Sequence, residues 1–299
     1  MELAHRRGLR MLLALGLVLA QAILGRAELA FAAPGDLIAE VVTPEGGGLL
    51  WPTAISPSVA FDGRYLYYAE YAGSILHRLD VPPPGGSTVA TGRVDYPITG
   101  AMSGIMTLSY DAGRDIFWAV SGNGLAIYAL TKTGAATLAY QIAADDRPGF
   151  QTGPFAIETK IAYDRSDDSI WYSPDATSRI YHYHTYADIL GTAVLVEGTP
   201  YVDVDVTAQC GFNQSSGVAA GASALFITVT GCPYYFQYAK TGAQVAAHPI
   251  NYSGQQSTQD LECDNLSYSV PVLWIKDGYD SRIRAFEQPA GGLCAFGGG

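Results

Sequence analysis

His182 and His184 stand two residues apart in a stretch where ring-bearing and polar residues alternate. At the period of a strand they share one face, a spacing at which two imidazoles can ligate one metal ion. No third ligand stands close in sequence, and His77 occupies a similar position in an earlier segment. The polar face of a half-exposed strand therefore accounts for the pair more simply. Asp203 and Asp205 alternate with Val202, Val204 and Val206, so both carboxylates face one way. They can be read as calcium ligands or, more simply, as the charged face of an edge strand. Asp62, Asp111, Asp164 and Asp264 each close a short apolar stretch. Brought together in one ring, they could hold calcium or another divalent cation. Asp is also a turn residue that bonds its own backbone, and Gly63-Arg64, Ala112-Gly113 and Arg165-Ser166 read as turns. Glu70, Asp175, Asp277 and Asp280, with Tyr71, Tyr279 and Arg282 nearby, would decorate loops, where acids beside aromatics suit a sugar or a cation.

The chain carries no Gly-x-Ser-x-Gly elbow, no His-Glu-x-x-His, no phosphate-binding glycine loop and no dinucleotide fingerprint. The sequence assigns no catalytic residue and no cofactor. Whether the chain is an enzyme stays open, with the balance against it.

Positioning any of these residues falls to a repeat. An apolar residue precedes an aromatic one at Leu66-Tyr67, Phe117-Trp118, Ile170-Trp171, Leu225-Phe226 and Leu273-Trp274. Further along each copy come paired apolar or aromatic positions: Leu76 and Leu79, Ile127 and Leu130, Ile180 and Tyr183, Tyr235 and Tyr238, Ile283 and Phe286. Thr133-Gly134 and Thr241-Gly242 follow as turns. Upstream lie Ser58-Val-Ala-Phe-Asp62, Met106-Thr-Leu-Ser-Tyr-Asp111, Lys160-Ile-Ala-Tyr-Asp164 and Asp260-Leu-Glu-Cys-Asp264, with Gly217-Val-Ala-Ala-Gly221 as the departing copy. The aromatic anchors recur roughly every 50 residues, the period of a four-stranded propeller blade. One such sheet cannot cover both its faces, so copies stack around an axis. The expectation is an all-β fold, a β-propeller of about five four-stranded blades, over residues 33–299. The unrepeated strand-like stretch Asp36-Leu-Ile-Ala-Glu-Val-Val-Thr43 should close the ring as the outer strand of the fifth blade.

The elements Ile161-Ala-Tyr-Asp164, Ser169-Ile-Trp-Tyr172 and Arg179-Ile-Tyr-His-Tyr183 resemble repeats of the broad NHL/SMP-30/streptogramin-lyase-like propeller group. Val272-Leu-Trp-Ile-Lys-Asp-Gly-Tyr-Asp280 with Arg282-Ile-Arg-Ala-Phe286 resembles them too. The resemblance implies blade packing rather than a chemistry. Members of that group are commonly six-bladed, which makes six blades the alternative count.

Arg6, Arg7 and Arg10 precede the apolar run Met11 to Leu24, and Ala30-Phe31-Ala32 offers a small-residue cleavage pattern. Residues 1–32 read as a signal peptide, with Gly25-Arg26-Ala27 as a second candidate cleavage site. The expected destination is secreted or periplasmic. There the even cysteine count, Cys210, Cys232, Cys263 and Cys294, argues for disulfides. Of three possible connectivities, Cys210–Cys232 and Cys263–Cys294 keep each bridge within one repeat. Asn213-Gln-Ser215, Asn251-Tyr-Ser253 and Asn265-Leu-Ser267 match the glycan acceptor pattern. A formal charge of −11 disfavours nucleic acid and anionic membrane surfaces. The expected partner is an extracellular protein, a glycan or a small molecule. The leading expectation is a binding scaffold. The alternatives are a propeller lyase or hydrolase with its site at the central channel, and a structural component of a matrix or appendage.

Overall fold

A computed structural model describes residues 33–45, 55–147, 159–174, 177–251, 260–278, 280–289 and 293–294. The predicted signal segment 1–32 lies outside the described residues, as do Asp175 and Tyr279. The described residues form a five-bladed β-propeller.

Each blade starts with a strand beside the axis and works outward. Blade one contains β2 (Ala60–Phe61), β3 (Tyr65–Ala69), β4 (Ile75–Asp80) and β6 (Val94–Pro97). Blade two contains β7 (Ile105–Asp111), β8 (Ile116–Ser121), β9 (Ala126–Thr131) and β10 (Ala136–Gln141). Blade three contains β11 (Lys160–Asp164), β12 (Ser169–Ser173) and the long β13 (Arg179–Ala187). β13 is flanked by both β14 (Ala193–Leu195) and β15 (Tyr201–Asp203). Blade four contains β16 (Gly217–Ala220), β17 (Ala224–Thr228), β18 (Tyr234–Ala239) and β19 (Gln244–Pro249). Blade five contains β20 (Asp260–Asp264), β21 (Val272–Lys276) and β22 (Arg282–Glu287). Its outer strand is β1 (Leu37–Val42), antiparallel to β22 with Val41 opposite Ile283. The sequence did not announce β5 (Gly85–Val89). It leaves blade one after β4 and lies parallel against the outer edge of β1.

The inner strands neighbour one another in the cyclic order β2, β7, β11, β16, β20 and back to β2. Five apolar clusters fill the five seams between blades. Each anchor aromatic lies in a different one: Tyr67 between blades one and two, Trp118 between two and three, Trp171 between three and four, Phe226 between four and five, and Trp274 between five and one. All five are nearly inaccessible to water. A buried aromatic ring of this size contributes about 1.5–3 kcal/mol. This is the physical reason the repeat is visible in the sequence.

The acid that closes each upstream stretch holds the anchor in place. Asp164 Oδ2 accepts the Trp171 indole N–H at 3.0 Å, and Asp264 Oδ2 accepts that of Trp274 at 2.8 Å. Asp111 Oδ2 accepts that of Trp118 at 3.2 Å, while in blade one the Tyr67 hydroxyl donates to Asp62 at 3.3 Å. The other oxygen of each carboxylate accepts turn N–H groups, from Tyr65, Gly113, Ser166 and Leu266 respectively. The Thr-Gly turns follow a conformational rule: Gly134 and Gly242 have φ of 93° and 96°, a region that side chains disfavour.

Two disulfides tie the ring. Cys210, at the end of the one-turn helix α1 (Thr207–Cys210), bonds Cys232 in the turn after β17, with Cα atoms 5.3 Å apart. Cys263 in β20 bonds Cys294, with Cα atoms 5.5 Å apart, so the tail is pinned to blade five while β1 supplies its outer strand. Among the described residues no helix is long and apolar enough to cross a membrane.

Candidate functional site

The inner strands begin at one end of the ring, and their first residues converge on the axis. Lys160 opens β11 and Asp260 opens β20, both fully buried. Asp260 accepts the backbone N–H groups of Val59 at 2.9 Å and Leu108 at 3.3 Å, and the Thr107 hydroxyl at 2.8 Å. Lys160 Nζ donates to the carbonyls of Met106 at 2.9 Å and Pro57 at 3.2 Å. One residue from blade five and one from blade three thus tie to blades one and two. Two positions along β20, Glu262 accepts the Tyr110 N–H at 3.2 Å. The hydroxyls of Thr107 and Ser109 accept the N–H groups of Ile161 and Tyr163 at 3.2 and 2.9 Å. Neighbouring inner strands share no ladder, so their axis-facing N–H groups need side-chain partners. The polar residues at the axis supply them.

Burial pushes the Asp260 carboxyl up against the opposing pull of Lys160. Burial holds Glu262 well above the usual carboxylate range, and the Asp260 charge adds to the effect. Lys276 lies opposite Asp260 across β20 and β21 and donates to the carbonyls of Asp277 and Asp280, both at 2.7 Å. Its burial lowers the ammonium to about 8. Beyond it, Glu40 accepts from Arg282 and Arg284, and Arg284 also reaches Asp280 at 2.6 Å.

A second constellation lies at the same end, between blades two and three. Asp146 sits half-buried in a short turn after β10. The Tyr183 hydroxyl donates to it at 2.9 Å, and the Tyr181 phenol also favours its ionised form. The Tyr181 and Tyr183 rings lie 8° from parallel with centroids 6.2 Å apart, and Tyr172 stacks 5.7 Å from Tyr183. Tyr140 meets Tyr183 edge-on, and its buried hydroxyl has no partner among the described residues. Tyr201 stands opposite Tyr181 on β15, with the Arg179 guanidinium 3.8 Å above its ring. Burial raises the Asp146 carboxyl against the pull of the Tyr183 and Tyr181 phenols and of the Arg179 charge, which lies beyond ion-pair distance and is bonded to Asp203.

No protein-family model matches the chain, and no curated protein matches it. Among solved structures it is similar to an inactive virginiamycin B lyase from Staphylococcus aureus, at 14% identity and a TM-score of 0.39, over 75% of this chain and 62% of that one. The chain thus spans less than two thirds of the lyase. It is also similar to a nidogen/laminin complex, at 14% identity and TM-score 0.44, over 79% and 76%. A third likeness is to the glutaminyl cyclase of Myxococcus xanthus, at 8% identity and TM-score 0.49, over 84% and 97%. These are β-propellers, and the likeness is one of fold.

The residues singled out from sequence do not gather at one place. Asp62, Asp111, Asp164 and Asp264 occupy four separate turns, each bonded to its own anchor aromatic. Among the described residues no three His, Cys, Asp or Glu are arranged to hold a metal. His182 stacks on Trp171 at 3.8 Å, its Nδ1 faces the Thr199 carbonyl at 3.0 Å, and its Nε2 meets Ser169 at 2.6 Å. His184 stacks instead on Tyr186, and His77 stacks on Tyr68 with Nδ1 on Asp95 at 2.8 Å. Asp203 holds Arg179 at 2.9 Å, while Asp205 lies beyond the end of β15 and accepts the Thr207 N–H. The apolar alternation continues through buried Val204 and Val206, but the strand's pairing stops at Asp203. Glu70 lies 3.8 Å from His77, and the Asp280 carboxylate accepts the Arg282 N–H. Asn213 and Asn265 are exposed, and Asn251 donates to Asp36.

Sequence reasoning passed over Lys132 and Lys240. Both precede a Thr-Gly turn, and each reaches the turn Asp of the preceding blade: Lys132 to Asp62 at 3.0 Å and Lys240 to Asp164 at 2.6 Å. The shared Lys-Thr-Gly triplet was the available signal. Nothing local could have joined Asp146 to Tyr181 and Tyr183, which come from another blade.

Proposed function

We propose that this chain is a secreted binding protein whose rigid ring presents the face on which the inner strands begin to an extracellular protein, glycan or small molecule. The observation that carries this reading is the bonding of Asp260 and Lys160. Four blades meet through these two side chains, whose polar atoms are engaged with the chain's own backbone and the Thr107 hydroxyl, so the axis acts as structure. Around it, the turns joining second to third strands and the connections between blades can vary without disturbing the seams. The basic and apolar start of the sequence and the two disulfides support export. The acidic net charge supports a partner other than nucleic acid.

A second reading, a lyase or hydrolase, is favoured by the raised carboxyls of Asp260 and Glu262 beside the lowered ammonium of Lys276. A thermal-shift screen against extracellular glycans, peptides and small molecules, with hydrogen-exchange mapping, separates the two. Binding should protect the turns near Tyr71, Asn123 and Ser178. Turnover of an ester, lactone or glycoside that Asp260→Asn abolishes at unchanged Tm would replace the binding reading by the enzymatic one. Assembly of the purified protein into fibres would point to a matrix component.

A further inference from the structure

We propose that Asp146, Tyr181 and Tyr201, backed by Tyr172 and Tyr183, form a binding site for a small organic cation of the alkylammonium class. The inference rests on the reading that this face is the binding face, and it names the ligand chemistry. Asp146 is a half-buried carboxylate that accepts a hydrogen bond from the Tyr183 phenol, with the Tyr181 phenol beside it. The nearby cations are engaged elsewhere: Arg179 makes two bonds to Asp203, and Arg147 donates to the Ile142 carbonyl. Taking a carboxylate partly out of water with no cation at ion-pair distance is unfavourable, and a bound cation relieves it.

The surroundings select the kind of cation. Calcium and magnesium require six or more oxygen ligands, and one carboxylate among aromatic rings does not provide them. Tyr faces attract an ammonium or its methylated forms through the ring quadrupole. The hydrogen bond from the Tyr183 phenol to Asp146 draws electron density into that ring and strengthens the attraction. Tyr201 already carries a guanidinium over its face, so this strand surface demonstrably accommodates a cation on an aromatic ring. Tyr181 and Asp146 are half-buried and Tyr201 is exposed, so a ligand can reach them, while Tyr172 and Tyr183 are buried behind. The unpartnered Tyr140 hydroxyl adds a polar atom in the same cluster. The negative net charge concentrates cations near the surface.

The test titrates choline chloride, and separately its neutral isostere 3,3-dimethylbutan-1-ol, into the purified protein at fixed ionic strength. Tyr side-chain NMR shifts give the affinity and the location. The expected result is saturable choline binding at the Tyr181 ring, at least tenfold weaker for the isostere. Asp146→Asn should weaken choline binding at least tenfold. If Asp146→Asn does not reach the wild-type Tm, Tyr181→Leu takes its place with the same expected loss. Equal affinity for choline and the isostere at Tyr181 would overturn the cation inference while sustaining the binding face. Undiminished choline binding by a folded Asp146→Asn or Tyr181→Leu variant would overturn the inference as well. Absence of saturable choline binding would overturn it too, and leave the broader reading to the ligand screen.

Discussion

The ammonium of Lys240, on blade four, lies 2.6 Å from the carboxylate of Asp164, on blade three. That carboxylate also holds the Trp171 indole and the Ser166 turn, so one acid fixes a core aromatic, a turn and the adjoining blade. The same arrangement recurs in Lys132 and Asp62.

Removing Asp164 should therefore cost more than removing its cation. Asp164→Ala leaves the buried indole N–H and the turn unpartnered, and its expected cost is about 3 kcal/mol. Lys240→Met leaves the other donors to Asp164 in place and should cost about 1–2 kcal/mol. Urea midpoints of the two variants check the order; a costlier Lys240→Met would show that the carboxylate depends chiefly on the cation.

Lys276 gives a pH signature. Its folded value of about 8 lies below the ordinary 10.5, so the folded state binds fewer protons between those limits. The contribution is fully present above 10.5 and is lost as pH falls through 8. Stability should rise with pH across this window, and Lys276→Met should remove that part of the slope. Tm measured from pH 8 to 10.5 on both proteins decides it.

Glu262 gives the opposite sign at acid pH. Its folded value is raised above 4.5, so the folded state retains a proton that the unfolded chain releases. The contribution is present below 4.5 and is lost as pH climbs towards the folded value. Glu262→Gln should flatten this decline, read as denaturant midpoints from pH 4 upward. An unchanged profile would place the proton elsewhere.

The Cys210–Cys232 bridge closes a loop with a sequence separation of 22. Replacing both residues by Ser should lower stability by about 3 kcal/mol in the chain-entropy picture. Chemical denaturation of the double variant under oxidising conditions measures it.

The blades were legible because their determinants are local and repeated. Trp118, Trp171 and Trp274 fill equivalent seams, and the strand closing the ring, Leu37–Val42, had no repeat of its own to join. Gly85–Val89 was not legible as a strand of blade five, since its pairing is with residues far back in the chain. The axis was missed for a related reason. Asp260 is bonded to Val59, Thr107 and Leu108, three positions that no spacing rule connects. The acids picked out by position, Asp62, Asp111, Asp164 and Asp264, were conspicuous because four of the five blades use one at the same corner. Repetition makes structural residues easy to see, whereas Asp146 occurs once and meets its tyrosines only in space.

The pairing of Leu37 with Phe286 brings the first and the last described strands into one sheet. This contact can form only once the fifth blade has been made, so the emerging chain stays an open arc until its last described strands arrive. Long-range closure of this kind makes folding slow and late.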